Sequence, residues 1–186
     1  MRVTPIRPGR SPWYLKPVFW LQRRHYGQVL LPGLLWGRHP GLLLGVAFFF
    51  GRLVRRKSPI PTDLRALVCV RISQINHCAF CVDINGAGYL GIGGVLETKL
   101  RELSRWRESS LFDEREGCVL AYAEAVTDSR QTVDDALFDA LRRYFDDDGL
   151  VLLTALVAFQ NMSSKFNAAL GVPPQGFCRI AAGGEG

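Results

Sequence analysis

The sequence predicts an all-helical fold, and three observations carry that prediction. Apolar residues recur at helical spacing along most of the chain, as in Leu64, Leu67, Val68, Ile72 and Ile75. No stretch alternates at period two for long enough to make a strand. Helix-start signals recur in front of the periodic segments, and prolines and glycines separate them.

Taken in order, prolines at 5, 8, 12 and 17 mark an irregular lead. A helix is expected from Leu15 to Leu31, interrupted by Pro32-Gly33. Pro40 suits the first turn of another helix through Gly41–Arg56, whose end collects Arg52, Arg55, Arg56 and Lys57, a placement that complements the helix dipole. Pro59 and Pro61 form the clearest break. Thr62 is expected to cap the next helix, with Asp63 in its first turn. A short link at Asn76-His77 leads to a helix that begins near Cys78, which glycines end around Leu90 to Gly94. Glu97 to Trp106 reads as one more short helix. Asp113 with Glu116 has the form of a capping box for a helix through Val126. Thr132 with Asp135 suggests the same for a helix through Tyr144. The Asp146–Asp148 cluster opens a long helix to Leu170, whose run Leu150–Phe159 is apolar on nearly every face and so is expected to be buried. Pro173 and Pro174 stop it.

Of 186 residues, 48% are apolar and 22% charged, a globular composition that excludes a disordered or collagen-like chain. The net charge of +6 is uneven. Residues 1–62 hold 11 Lys/Arg and no acid, whereas the remainder holds 12 Lys/Arg against 17 Asp/Glu. We therefore divide the chain into a basic, aromatic-rich helical arm, 1–60, and a helical domain, 61–180. Arm residues such as Trp13, Trp20, Arg23 and Arg24 suit packing on the body, with weak membrane-surface contact as the alternative; nucleic-acid binding is not expected. The longest apolar run, Gly41 to Gly51, is about half of what a bilayer requires. With no signal-like stretch at the start, a cytoplasmic protein is expected.

Five cysteines are present, at 69, 78, 81, 118 and 178. The odd number argues against a disulfide scaffold. Cys78 and Cys81 alone have a meaningful spacing, because thiols three residues apart on a helix share a face and can meet as a disulfide. At a helix N-terminus the unpaired N–H groups favour thiolate. His77 adjoins Cys78 as a candidate helper, and Asp83 points roughly away from the thiol face. Two cysteines that merely pack in the core fit the same spacing. A metal is not expected, since no second CxxC or spaced His pair supplies further ligands, and no glycine-rich loop signals a nucleotide cofactor.

The stretch Leu64-Arg65-Ala66-Leu67, Ser73-Gln74-Ile75-Asn76 and Cys78-x-x-Cys81 resembles the core motif of the alkylhydroperoxidase D-like branch of the carboxymuconolactone decarboxylase superfamily. The likeness continues through Phe112–Glu116, Ala121–Thr127, Leu153-Thr154-Ala155, Asn161, Phe166-Asn167 and Pro174–Cys178, covering roughly residues 60 to 178. It implies an oligomeric helical bundle, a trimer or hexamer. It also implies a peroxidase-like antioxidant oxidoreductase in which Cys81 attacks a small hydroperoxide and Cys78 resolves it into a disulfide. A dithiol donor, such as a lipoylated protein, would then reduce the pair. The sequence departs from that pattern where the family's proton relay stands. The Glu twelve residues before the first cysteine is Ala66, and the His four residues after the second is Asn85. Asn85 can orient a proton donor but accepts no proton at neutral pH, so low peroxidase efficiency is expected. The candidate site is therefore Cys78, Cys81, Asn85 and His77. The alternatives are a non-catalytic redox-sensing or binding protein on the same scaffold and, further off, a true carboxymuconolactone decarboxylase, whose branch generally lacks the CxxC.

Overall fold

The computed structural model describes residues 1–54, 58–87 and 94–178, the side chains of 94–96 excepted. Among them the regular structure is entirely helical: α1 (Lys16–Tyr26), α2 (Leu31–Trp36), α3 (Pro40–Leu53), α4 (Thr62–Ile75), α5 (Ala79–Ala87), α6 (Gly94–Glu102), α7 (Glu114–Thr127), α8 (Asp135–Arg142) and α9 (Asp147–Ala169), with short 3₁₀ turns between some of them. The all-α expectation holds.

α4 is the centre of the bundle, packed against α5, α7 and α9. Its residues from Leu64 to Val70 are buried without interruption. One face of α4 (Leu64, Val68, Ile72) meets Val119 and Tyr122 of α7 and Leu153 and Val157 of α9. Another (Leu67, Val70) meets Leu100, Leu103 and Leu120. Each such leucine or valine, withdrawn from water, contributes on the order of 2 kcal/mol. No helix among the described residues is long and apolar enough to cross a membrane.

Several helix ends differ from the sequence expectation for local reasons. α1 stops at Gly27, which takes the left-handed conformation (φ 74°), four residues before the expected end. Pro32 and Gly33 then lie in the first turn of α2 rather than in a break, because a proline there forfeits no intrahelical hydrogen bond. Thr62 is the first residue of α4 and not its cap; its Oγ1 instead accepts from Arg65 Nη2 (2.9 Å). The cap of α8 is Asp134, which accepts from Leu137 N (2.8 Å), rather than Thr132. The Asp113/Glu116 capping box forms as expected, and Asp146 caps α9. Residues 90–93 of the expected end of α5, around Leu90 to Gly94, and the basic cluster at 55–57 fall outside the described residues, and Gly94 opens α6. Within the run Leu150–Phe159 of α9, Val151, Thr154 and Ala158 are exposed, a departure from the expected burial. One face of that helix suffices to fill the core.

The arm docks on the body. Leu15, Phe19, Leu34 and Leu43 form a small core, and Trp36 stacks on Phe166 of α9 at 3.7 Å. Gln175 fastens the two ends of the chain. Its Oε1 accepts from Leu31 N (2.7 Å), and its Nε2 donates to Gln28 Oε1 (3.0 Å) and to Val29 O (3.2 Å).

Candidate functional site

The site is built at the joint between α4 and α5. Asn76 caps the end of α4, and His77 follows in the left-handed region (φ 51°), where glycine is the favoured residue. His77 N donates to Gln74 O (3.1 Å) and Cys78 N to Ser73 O (2.9 Å), the paired closure that ends many helices. The turn delivers Cys78 to the start of α5, where Val82 N donates to its carbonyl (3.0 Å). Asn76 pins the turn from the side, its Nδ2 donating to Asn161 Oδ1 (2.9 Å) and Ser164 Oγ (2.8 Å) on α9.

Cys78 and Cys81 are joined as a disulfide with Cα atoms 5.2 Å apart, within the usual range for such bridges. Cys78 takes the helix-cap position, and its Sγ accepts from Cys81 N (3.2 Å). A helix N-terminus aimed at a sulphur favours its anionic form. Cys81 lies one turn further in, where Asn167 Nδ2 of α9 donates to its Sγ (3.3 Å). Both sulphurs sit among Leu35, Phe80 and Val172, so the arm contributes a wall of the disulfide.

A cleft of about 380 Å³ opens beside Cys78. Its walls are Ser73, Gln74 and His77 at the end of α4, Cys78, Val82 and Asp83 on α5, and Pro174 and Cys178 of the C-terminal loop. Cys81 and Asn85 do not line it. The structure thus brings His77 and Cys78 together at the cleft and Cys81 directly behind. Asn85, one helical turn beyond Cys81 and half-buried, makes no side-chain hydrogen bond among the described residues. Ala66 is fully buried in α4.

Asp83 faces the cleft but is committed elsewhere. Its Oδ2 accepts from Gln175 N (2.7 Å) and Gly176 N (2.9 Å), and its Oδ1 from Cys178 N (2.6 Å). It fixes the C-terminal loop against α5. At Gly86 that loop approaches so closely that an added Cβ would stand 3.0 Å from Cys178 Sγ. Glu116 serves its capping box and receives Lys99 Nζ (2.6 Å), remote from the thiols. His25 and His39 are exposed on the arm. Burial of Cys69 pushes its thiol up to about 12 despite the opposing charge of Arg65. Among the described residues no group of three or more His, Cys, Asp or Glu is placed to hold a metal ion.

Sequence reasoning missed Asn167 as a site residue. It belonged to the family-like stretch Phe166-Asn167, but its partner lies 86 residues away, and only the folded bundle shows the contact.

An all-helical bundle with a CxxC at the start of a short, central helix defines a class of thiol-bearing helical proteins. The chain belongs to the carboxymuconolactone decarboxylase family, whose model matches residues 42–125. It is 45% identical over 172 residues to the protein YnjA of Escherichia coli K12, spanning 92% of this chain and 94% of that one. An alkylhydroperoxidase AhpD core structure, a peroxidase-related protein from Ralstonia eutropha JMP134, superposes with a TM-score of 0.82 at 21% identity, covering 97% and 95% of the two chains. The debrominase Bmp8 superposes at 0.80 with 24% identity, covering 96% and 95%. These two likenesses carry the fold.

Proposed function

We propose that the chain is a thiol-based oxidoreductase of peroxidase-like type, cycling Cys78 and Cys81 between dithiol and disulfide. The observation that carries this reading is the pair itself: two cysteines bonded at a helix N-terminus, with one sulphur at the wall of a cleft. In the cycle, a thiolate attacks a small hydroperoxide, which leaves as the alcohol and turns the cysteine into a sulfenic acid. The second thiol displaces water to form the disulfide. A dithiol donor then returns two electrons and two protons by exchange. The family resemblance gives the attack to Cys81; the cleft and the cap position favour Cys78 as the sulphur met by an incoming molecule.

Low peroxidase efficiency belongs to the same reading. Ala66 and Asn85 supply no proton acceptor, and Asp83 is engaged by three backbone N–H groups. His77 is the basic side chain at the cleft whose ring no other described side chain engages. General-base help is worth roughly 10²–10⁴-fold in rate, so a peroxidase lacking it is slow. That deficit favours a second reading, a redox-sensing scaffold that oxidises reversibly without turnover. Decarboxylation of a carboxymuconolactone stands further off.

The partners we propose are a small hydroperoxide or other thiol-reactive substrate, a dithiol reductant such as a lipoylated protein, and further copies of the chain. Exposed Leu42 and Phe48 on α3 and Val151 on α9 support assembly into a trimer or hexamer. We place the protein in the cytoplasm.

The test is peroxide consumption with dihydrolipoamide or dithiothreitol as donor, followed in the native protein and in Cys78→Ser and Cys81→Ser. The native protein is expected to turn over slowly and both variants not at all. Turnover that survives either substitution contradicts the reading.

A further inference from the structure

Asn167 is 1% exposed, and its two amide ends are treated unequally. Nδ2 donates to Cys81 Sγ (3.3 Å), while Oδ1 is buried with no hydrogen-bond partner among the described residues. Buried amide oxygens are rarely left in that state. The reversed amide would aim its oxygen at the sulphur and orphan the N–H instead, so the orientation observed is the one the sulphur favours. In the disulfide neither sulphur carries a proton, and none of the described residues provides a donor for Oδ1. A reduced Cys81 would bring one.

We propose that Asn167 is the catalytic side chain that serves Cys81 through its redox cycle, stabilising it as a leaving thiolate and accepting a hydrogen bond from its thiol once reduced. The inference rests on the redox reading above and adds a residue to it. A thiolate of the dithiol donor enters the cleft and attacks Cys78 Sγ. A new sulphur–sulphur bond forms to the donor while the Cys78–Cys81 bond breaks, its electron pair passing to Cys81 Sγ. Asn167 Nδ2–H meets that developing charge in a dry site, where a hydrogen bond to an ion is strongest. The donor's second thiol, deprotonated, then displaces Cys78, and the donor leaves as its disulfide with two electrons transferred. The two protons shed by the donor end on Cys78 and Cys81. The Cys81 thiol can then donate to Asn167 Oδ1, supplying the missing partner. Leaving-group stability governs such exchange directly, since a lower thiol pKa on the departing sulphur speeds its departure.

Asn167 is built for steadiness. Its backbone carbonyl accepts from Val172 N (3.0 Å) in the closure that ends α9, and Gly171 supplies the left-handed residue (φ 62°) which that closure requires. The side chain is therefore carried on an anchored turn.

The experiment measures Cys81 alone first. In a background with Cys78, Cys69, Cys118 and Cys178 changed to Ser no disulfide forms, and thiolate absorbance against pH follows Cys81 with Asn167 native, changed to Leu, or changed to the isosteric Asp. Both changes remove the N–H donor and are expected to raise the Cys81 pKa by about one unit or more. With the native pair restored, they are expected to slow reduction by dithiothreitol about tenfold or more. A packing role would lower the melting temperature and leave both readouts still. An unmoved Cys81 pKa in both the Leu and Asp variants overturns the proposal. Should the native pair fail to cycle at all, the redox reading would fall on its own, and the Cys78→Ser titration would still decide on Asn167.

Discussion

At the scale of single residues, His77 carries two demands that pull apart. Its place in the left-handed region costs a non-glycine residue about 1–2 kcal/mol, yet its ring stands at the cleft beside Cys78. His77→Gly should relieve the turn and raise unfolding stability by about 1 kcal/mol, part of the relief being offset by glycine's freer unfolded chain. Urea unfolding checks this, and a variant less stable than the native protein would contradict the strained-turn account. The cysteine pair and His77 were legible in the sequence because their spacing is local. The exclusion of Asn85 from the cleft was not, since the walls on either side come from α4 and from a loop near residue 175. Asn167 lay further out of reach, because an asparagine late in a long helix reads as a polar surface position until its neighbour is known.

At the scale of elements, helix starts were readable where the capping chemistry is self-contained. Asp113 and Glu116 bond each other's backbone across one turn, and no distant residue enters the arrangement. Thr62 and Thr132 misled because a better local option won. An Arg65 guanidinium took the Thr62 hydroxyl, and a carboxylate at Asp134 out-competed the hydroxyl two residues before it. Junctions between elements depend on contacts that sequence does not display, and Glu124 is the clearest case. This buried carboxylate on α7 receives Arg71 Nε of α4 (2.6 Å), together with Trp106 Nε1 (3.0 Å) and Arg107 Nη1 (2.5 Å) from the turn after α6. Arg71 in turn donates to Gln74 Oε1 (3.3 Å), a wall of the cleft.

Burial alone pushes the Glu124 carboxyl up, but the hydrogen bonds from Trp106, Arg107 and Arg71 outweigh it and hold the group below its ordinary 4.5. A carboxylate whose folded pKa is depressed contributes stability above its unfolded value and loses it as pH falls through the folded one. Glu124→Gln should therefore flatten the loss of stability on acidification below about pH 4.5, and lower stability at pH 7 by about 2 kcal/mol. Thermal unfolding across pH 3 to 7 measures both. An acid limb equally steep in the variant would contradict the assignment.

At the scale of the whole molecule, the basic arm is part of the site's enclosure. Leu30, Leu31 and Leu35 pack with Cys78, Phe80, Cys81 and Val172, and Gln175 ties that arm to the loop held by Asp83. Composition marked the arm off by charge, and charge says little about packing, so its packing against the Cys78–Cys81 disulfide was invisible until the chain folded. The helical bundle was legible because periodicity is written residue by residue. The enclosure was not, because it is assembled from the two ends of the chain.

The central claim is that Cys78 and Cys81 are a working redox couple. Its most direct test is the reduction potential of the pair, measured against dithiothreitol or glutathione buffers with Cys118 and Cys178 changed to Ser. Cys69 is buried, and burial pushes its thiol up to about 12. A reversible two-electron couple between about −200 and −300 mV is the expected result, the range of exchange-active dithiols. A bridge that resists reduction below about −300 mV, or two thiols that never close, would contradict the account.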